Sequence, residues 1–213
     1  MSACLMLVVP AAMADIISVG DYIMLTDYNH LDSAGIMTYA VSKDQGAHIA
    51  FYYDTFCIQD NVYIYPNQWY PVAALSTSVG PYNPDKPGEG PLNGAVDYLF
   101  YQYKSGVYNT IMTSLETEAD FQEVLWSLQG SGPKYANDNP SPSITYLWDT
   151  DLLTYNITDT MHHSWGTQVI NIVDGNFYDI QNQLYNQVPE PSTVILMGTG
   201  LACLVGLRRR RKQ

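Results

Sequence analysis

The C-terminal segment 188–213 combines three signals that follow one another in a fixed order. The first is a short proline motif made of Pro189, Glu190 and Pro191. An apolar run over 192–207 comes next, followed by a basic cluster made of Arg208, Arg209, Arg210, Arg211 and Lys212. Proline cannot continue a helix and holds the preceding residue extended, so the motif is open to a processing enzyme. A helix pairs all its backbone hydrogen-bonding groups internally, so in lipid the apolar run is predicted to be a membrane helix. The basic cluster that follows is the stop-transfer signal, and it is predicted to lie in the cytoplasm.

The order of motif, helix and basic cluster resembles the PEP-CTERM sorting signal of Gram-negative bacteria. The resemblance covers the tail alone. It implies export through the inner membrane, anchoring by the C-terminal helix, and processing near Pro189–Pro191 by the membrane enzyme exosortase. It further implies a final location at the cell surface or outside the cell.

The apolar part of the tail is short for a lasting anchor. From Val194 to Leu207 it makes about 21 Å of helix, whereas a bilayer core is roughly 30 Å thick. A marginal span suits a temporary anchor, but snorkelling arginines also allow a permanent one. Temporary and permanent anchoring therefore both stay open.

Residues 1–14 have the pattern of a signal peptide. Leu5 to Val9 form an apolar core, and Ala12 and Ala14 are small residues before a predicted cleavage at Asp15. No cationic residue precedes the core, so we expect the complete signal peptide to begin upstream of Met1. The exported domain is then 15–187.

The predicted domain is strongly acidic. It contains twenty Asp and Glu residues and four lysines, which gives a formal charge of −16. Such a surface repels nucleic acid and anionic lipid, so nucleic-acid binding is excluded. Of the three cysteines, Cys4 leaves with the signal peptide and Cys203 belongs to the tail, so Cys57 is the domain's single cysteine. It is a buried inert thiol, an intermolecular disulfide, or a reactive or masked thiol.

The domain is predicted to be a β-rich α+β fold of short antiparallel strands with two inserted helices. Short β-branched and aromatic segments separated by turn residues indicate the strands. They are Tyr22–Leu25, Ile36–Val41, Ala50–Tyr53 leading into Thr55–Ile58, Val62–Tyr65, Gln68–Val72, Ile144–Trp148, Leu152–Tyr155 and Val169–Val173. The segment Gly80–Gly94 is rich in Pro and Gly and is predicted to be a loop.

Two segments change to a helical period. Val96, Leu99, Phe100 and Tyr103 recur at i, i+3, i+4 and i+7. A second helix is predicted to start near Thr117 and to end at Gly130. Its apolar face consists of Phe121, Val124, Leu125 and Leu128.

The segments Thr55–Gln59 and Phe121–Trp126 resemble the paired signatures of thioester domains on bacterial surface proteins. The resemblance implies that the Cys57 thiol condenses with the Gln122 carboxamide, loses ammonia and forms an internal thioester. Phe56, Phe121 and Trp126 would then shield this bond from water. One departure is Gln59, where the PEP-CTERM versions commonly have Glu.

The residue types fit this chemistry. A thiolate is a strong nucleophile, and a glutamine side chain offers an acyl group whose leaving group is ammonia. A dry surrounding must protect the product. The alternative is that Cys57 is a small core hydrophobe and Gln122 a surface residue of an amphipathic helix.

Other candidate sites are weaker. Asp159, His162 and His163 suggest a metal site, but adjacent strand residues point to opposite faces and no further ligands accompany them. A protease built on Cys57 and His163 lacks an orienting group. We therefore expect no metal, no cofactor and no enzymatic activity.

Two functions remain open. The first is a surface or matrix protein that attaches covalently, through the thioester, to an amine-bearing polymer or protein. The second is a non-catalytic structural protein associated with exopolysaccharide or biofilm. The loss of ammonia distinguishes them by mass.

Overall fold

The computed structural model of the chain describes residues 16–28, 35–59, 64–80, 90–130, 165–173 and 181–186. The described residues from Ile17 to Asn186 belong to one compact unit. Its described residues form six strands in one antiparallel sheet, a two-stranded hairpin and two helices. The predicted signal peptide and the predicted sorting tail lie outside the described residues.

The main sheet is assembled mostly from consecutive or nearby strands. Its strands are β1 (Tyr22–Tyr28), β2 (Met37–Ser42), β3 (Phe51–Thr55), β4 (Trp69–Ser76), β7 (Gln168–Ile172) and β8 (Gln183–Tyr185). Their spatial order is β3-β2-β1-β4-β7-β8, and each neighbouring pair is antiparallel. β5 (Ser78–Val79) pairs with β6 (Gly90–Pro91) in the separate hairpin.

In β1 and β3 the side chains alternate between the core and the other face. In β1, Ile23 and Leu25 are buried, while Tyr22 before them and Met24 between them are partly exposed. This period of two buries one set of apolar side chains on a single face of the sheet. The antiparallel β-rich architecture predicted from the sequence is therefore confirmed.

Both helices begin and end at residues suited to those positions. α1 (Gly94–Lys104) starts after Asn93, whose side chain accepts a hydrogen bond from the Ala95 N–H. α2 (Leu115–Gln129) starts after Ser114 with a capping box and ends at Gly130 in the left-handed conformation. The two predicted helices are confirmed, and α2 begins two residues earlier than Thr117.

The two outer strands of the sheet order meet beyond the end of β3. The Ile58 N–H donates to the Asn182 carbonyl at 3.0 Å, and the Leu184 N–H donates to the Phe56 carbonyl at 3.1 Å. Cys57 lies directly opposite Gln183 in an antiparallel bridge. The sheet therefore closes on itself at Cys57, which removes an exposed edge at this point.

Some predicted elements differ from the structure. Ile64 and Tyr65 lie outside any strand, and Tyr65 is exposed, so the described part of the predicted strand Val62–Tyr65 is wrong. The predicted loop Gly80–Gly94 contains β6 and the start of α1. The predicted strands Ile144–Trp148 and Leu152–Tyr155 lie outside the described residues, as does the predicted membrane helix 192–207. Within the described part of the chain, no helix is long and apolar enough to cross a membrane.

Candidate functional site

Cys57 lies just beyond β3, where the chain stops pairing with β2 and pairs with β8 instead. The last β2–β3 pair is Met37 with Thr55, so the β2–β3 ladder ends before Cys57. The carbonyl of Phe56 and the N–H of Ile58 are directed to β8. The N–H and carbonyl of Cys57 face the opposite side of the strand, as alternate residues do in an antiparallel ladder.

The side chain of Gln122 takes the place of the missing strand partner. Its Oε1 accepts a hydrogen bond from the Cys57 N–H at 3.0 Å, and its Nε2 donates to the Cys57 carbonyl at 2.6 Å. Both residues are fully buried. A buried backbone needs such partners, so the carboxamide satisfies two groups that would otherwise be costly to bury.

The thiol lies against the same carboxamide. Cys57 Sγ donates to Gln122 Oε1 at 3.4 Å. The structure therefore brings together the two side chains that the sequence singled out, although 65 positions separate them in the chain. The Cys57 N–H, which binds Oε1, is positioned to stabilise negative charge on that oxygen.

The position of Gln122 follows from the way α2 packs. Ala119, Gln122 and Trp126 recur at helical spacing on one face of α2, and all three are buried. Ala119 and Trp126 belong to the same apolar cluster as Cys57. The neighbouring face of α2 carries Phe121 and Leu125 into the second cluster, which contains α1 residues.

The three predicted shielding residues are all buried, and they belong to two clusters. Trp126 is buried in the cluster of Cys57, whereas Phe56 and Phe121 belong to the helix-side cluster. The Phe56 and Phe121 rings meet edge to face with centroids 5.1 Å apart. Tyr103 adds a third ring, 5.0 Å from Phe56. Together these rings and the full burial of Cys57 describe a dry environment.

Tyrosines line the Cys57 side of the sheet and were not singled out from the sequence. Tyr39, Tyr70 and Tyr185 are buried in the same cluster as Cys57. Burial, and then the proximity of Cys57 and Tyr70, raise the pKa of Tyr39 well above its ordinary value. This hydroxyl is therefore neutral at physiological pH. The only sequence feature that pointed to these tyrosines was their recurrence in short predicted strands.

Gln59 has a structural explanation. Its Oε1 accepts from the Asn182 backbone N–H at 3.1 Å and from Asn182 Nδ2 at 2.9 Å, and its carbonyl accepts from Gln181 Nε2 at 2.9 Å. A carboxylate at this position could accept the same two bonds from Asn182 but would bring a buried charge. Gln59 therefore fastens the Cys57 strand to the start of β8.

A set of charged groups lies next to the aromatic rings. The Lys104 ammonium stands 4.2 Å from the ring centroid of Tyr53 and donates to the Asp54 carbonyl at 3.2 Å. Partial burial, and then the charge of Asp54, raise the pKa of Glu118 above its ordinary value. Glu118 precedes Gln122 by one turn of α2, so these acids flank the helix face that carries Gln122.

Comparison with known proteins bears on the tail. Residues 187–211 match the family model described as the PEP-CTERM protein-sorting motif. This match supports an exported protein that exosortase sorts and processes, with a membrane-anchored C-terminal sorting signal. No curated protein and no solved structure matches the chain. The resemblance of the domain to thioester domains therefore has no support from these comparisons.

Proposed function

We propose that this exosortase-sorted protein attaches covalently to amine-bearing surface polymers or proteins through a thioester between Cys57 and Gln122. The observation that carries the proposal is the 3.4 Å contact between Cys57 Sγ and Gln122 Oε1 inside a fully buried site. The motif at 187–211 supports the extracytoplasmic location that such an attachment requires.

The proposed reaction balances without a cofactor. The Cys57 sulfur bonds to the side-chain carbonyl carbon of Gln122, the bond from that carbon to Nε2 breaks, and the thiol proton leaves with the nitrogen as ammonia. The Cys57 N–H supports the oxyanion through its contact with Oε1. A target amine then attacks the same carbon, the carbon–sulfur bond breaks, and an amide and the Cys57 thiol result.

Proximity supports formation of the bond. The strand after β3 and helix α2 hold the two groups at contact distance before reaction, which makes a bimolecular encounter unnecessary. The aromatic rings of Phe56, Phe121 and Trp126 exclude the water that would hydrolyse the product. Cys57 and Gln122 thus act on each other, and the protein is a single-use reagent rather than an enzyme.

A second function has an observation in its favour. The two hydrogen bonds from Gln122 to the Cys57 backbone are also what a purely structural clamp would make. The protein would then be a displayed structural component, associated with exopolysaccharide or biofilm, that forms no covalent bond.

Intact mass of purified 15–187 tests the proposal. The chain is expected to weigh about 17 Da less than its calculated mass, because thioester formation releases one ammonia. Incubation with methylamine should add one methylamine to the chain. Cys57→Ala is the control and should show the calculated mass and no adduct. A full calculated mass for the native chain would favour the structural clamp.

Processing of the tail is tested separately. Neutral replacement of the cluster from Arg208 to Lys212 is expected to change secretion and cleavage near Pro189–Pro191. Cell fractionation with an antibody to the domain measures both. Unchanged location and processing would contradict a role for these cations in sorting.

A further inference from the structure

Gln183 lies on β8 directly opposite Cys57. The two residues form an antiparallel bridge, and Gln183 is fully buried. Side chains of directly opposite residues stand on the same face of a sheet, with Cβ atoms about 5 Å apart. Gln183 is therefore the cross-strand neighbour of the Cys57 thiol, on the side of the strand away from Gln122.

The nitrogen of the Gln183 side-chain amide makes a hydrogen bond, whereas its oxygen makes none within the described residues. Nε2 donates to the Gln181 carbonyl at 3.0 Å. Because a carbonyl only accepts, this bond fixes which end of the amide is the nitrogen. In the described part of the chain, Gln183 Oε1 is a buried acceptor without a hydrogen-bond partner.

A buried acceptor without a donor is unfavourable by about 1–3 kcal/mol. A methionine of similar length would fill the same space without that cost. An orphan acceptor on the residue directly opposite a cysteine whose thiol faces a carboxamide is suited to a ligand with N–H or O–H groups. In the proposed reaction, the molecules that reach this position with N–H groups are the departing ammonia and the attacking amine.

We propose that Gln183 Oε1 binds the N–H of the amine that opens the thioester, which makes Gln183 a residue that selects amine nucleophiles. This inference rests on the proposed function. When the amine bonds to the Gln122 carbonyl carbon, its nitrogen becomes positively charged and its N–H groups become stronger donors. An acceptor placed there stabilises that charge before the proton passes to the leaving Cys57 sulfur.

The same geometry predicts discrimination between nucleophiles. A thiolate that attacks the same carbon brings no proton to donate, so Gln183 offers it no hydrogen bond. The Gln183 contribution therefore applies to opening by methylamine and not to opening by the thiolate of 2-mercaptoethanol. This difference separates the proposed role from a general loss of packing.

The test is Gln183→Met in 15–187, the domain that also carries the wild-type mass measurement. We expect Gln183→Met to keep the mass deficit of one ammonia. Opening by methylamine should slow about tenfold, the equivalent of one hydrogen bond, whereas opening by 2-mercaptoethanol should stay within about twofold. The matched control is Gln181→Met, which loses the bond to the Gln59 carbonyl but leaves Gln183 Oε1 in place. Its ratio of the two opening rates should equal that of the wild type.

The outcomes distinguish the two levels of the proposal. A wild-type chain of full calculated mass refutes the thioester and, with it, the role of Gln183. A wild-type deficit combined with equal slowing of both nucleophiles, or with an unchanged methylamine rate, in Gln183→Met refutes only the role of Gln183. If circular dichroism shows that Gln183→Met does not fold, a measurement on the wild-type chain tests the role of Gln183 instead. The ratio of its opening rate with methylamine to its opening rate with the thiolate must then exceed the same ratio for a small S-acyl thioester in the same buffer by about tenfold.

Discussion

At the residue scale, the Gln122 side chain accepts a hydrogen bond from the Cys57 N–H and donates one to the Cys57 carbonyl. In a chain that also carries Cys57→Ala, and therefore forms no crosslink, Gln122→Met keeps the length of the side chain and removes both bonds. Two buried backbone groups then lose these hydrogen bonds, so we expect the free energy of unfolding to fall by about 2–4 kcal/mol in urea denaturation. Gln102→Met, at a half-buried position of α1, is the control and should change it by less than about 0.5 kcal/mol. Equal effects of the two changes would contradict the clamp.

Cys57→Ala separates the clamp from the crosslink. The backbone bonds to Gln122 persist in this variant, so without a thioester the loss should be only about 1 kcal/mol. A crosslink that closes 65 residues constrains the unfolded chain by about 4 kcal/mol, as a disulfide across the same loop would. We therefore expect a loss near 5 kcal/mol in urea denaturation. A loss below about 2 kcal/mol would contradict a formed thioester.

Sequence reasoning named Cys57, Gln122 and the shielding rings of Phe56, Phe121 and Trp126, but not the other residues around them. The lone cysteine of an exported domain could be read from the chain itself, whereas Gln122 was singled out by the resemblance to thioester domains. The orphan acceptor of Gln183 and the tyrosines around Cys57 could not be predicted, because pairing between strands distant in the sequence brings them close to Cys57. Neither residue type carries a local signal for such a role.

At the element scale, Glu118 on α2 responds to pH. Burial, and then Asp54, raise the pKa of Glu118, so the folded state disfavours its ionised form. The contribution of Glu118 to stability is therefore present below its unfolded pKa and is lost as pH rises through its folded value. We expect Glu118→Gln to raise the melting temperature at pH 7 and to have no effect near pH 3. Calorimetry at both pH values measures this.

Glu116→Gln is the matched control for that prediction. Glu116 is the other acidic residue in the first turn of α2, and its side chain is exposed. Its replacement removes the same favourable interaction with the helix N-terminus. Glu118→Gln should therefore give the higher melting temperature of the two at pH 7. The reverse order would contradict an unfavourable charge at Glu118.

The elements that the sequence predicted well are those with strong local periodicity. α1 and α2 were recognisable from apolar spacing, and Gly130 marked the end of α2 as a left-handed cap. β8 was missed because Gln183, Leu184 and Tyr185 form a short strand in which two of the three side chains are polar or amphipathic. Its burial comes from pairing with β7 and with the strand after β3, which no local pattern reports.

At the scale of the whole molecule, closure of the sheet depends on the contact between β8 and the end of β3. Thr55 Oγ1 donates to the Leu184 carbonyl at 2.6 Å in a buried position. Thr55→Val removes this bond at nearly constant volume and should lower the free energy of unfolding by about 1–2 kcal/mol. Amide exchange at Ile58 and Leu184 should accelerate. Thr38→Val, which loses an exposed bond to Asp54, is the control and should leave exchange at both amides unchanged.

The charge of the domain sets a further property of the whole molecule. Twenty acids against four lysines in 15–187 give −16, and such an excess destabilises the compact state by self-repulsion. Local attractions such as Lys43 with Asp21 are too few to reverse this, since 15–187 contains only four lysines. Salt should therefore raise the melting temperature by a few degrees, mostly below about 0.2 M, where the Debye length falls to roughly 7–8 Å. Calorimetry in NaCl and KCl should give superimposable curves, because screening does not distinguish the cations. A melting temperature that falls with salt would show that attraction outweighs repulsion, and a curve specific to one cation would show that the ion binds.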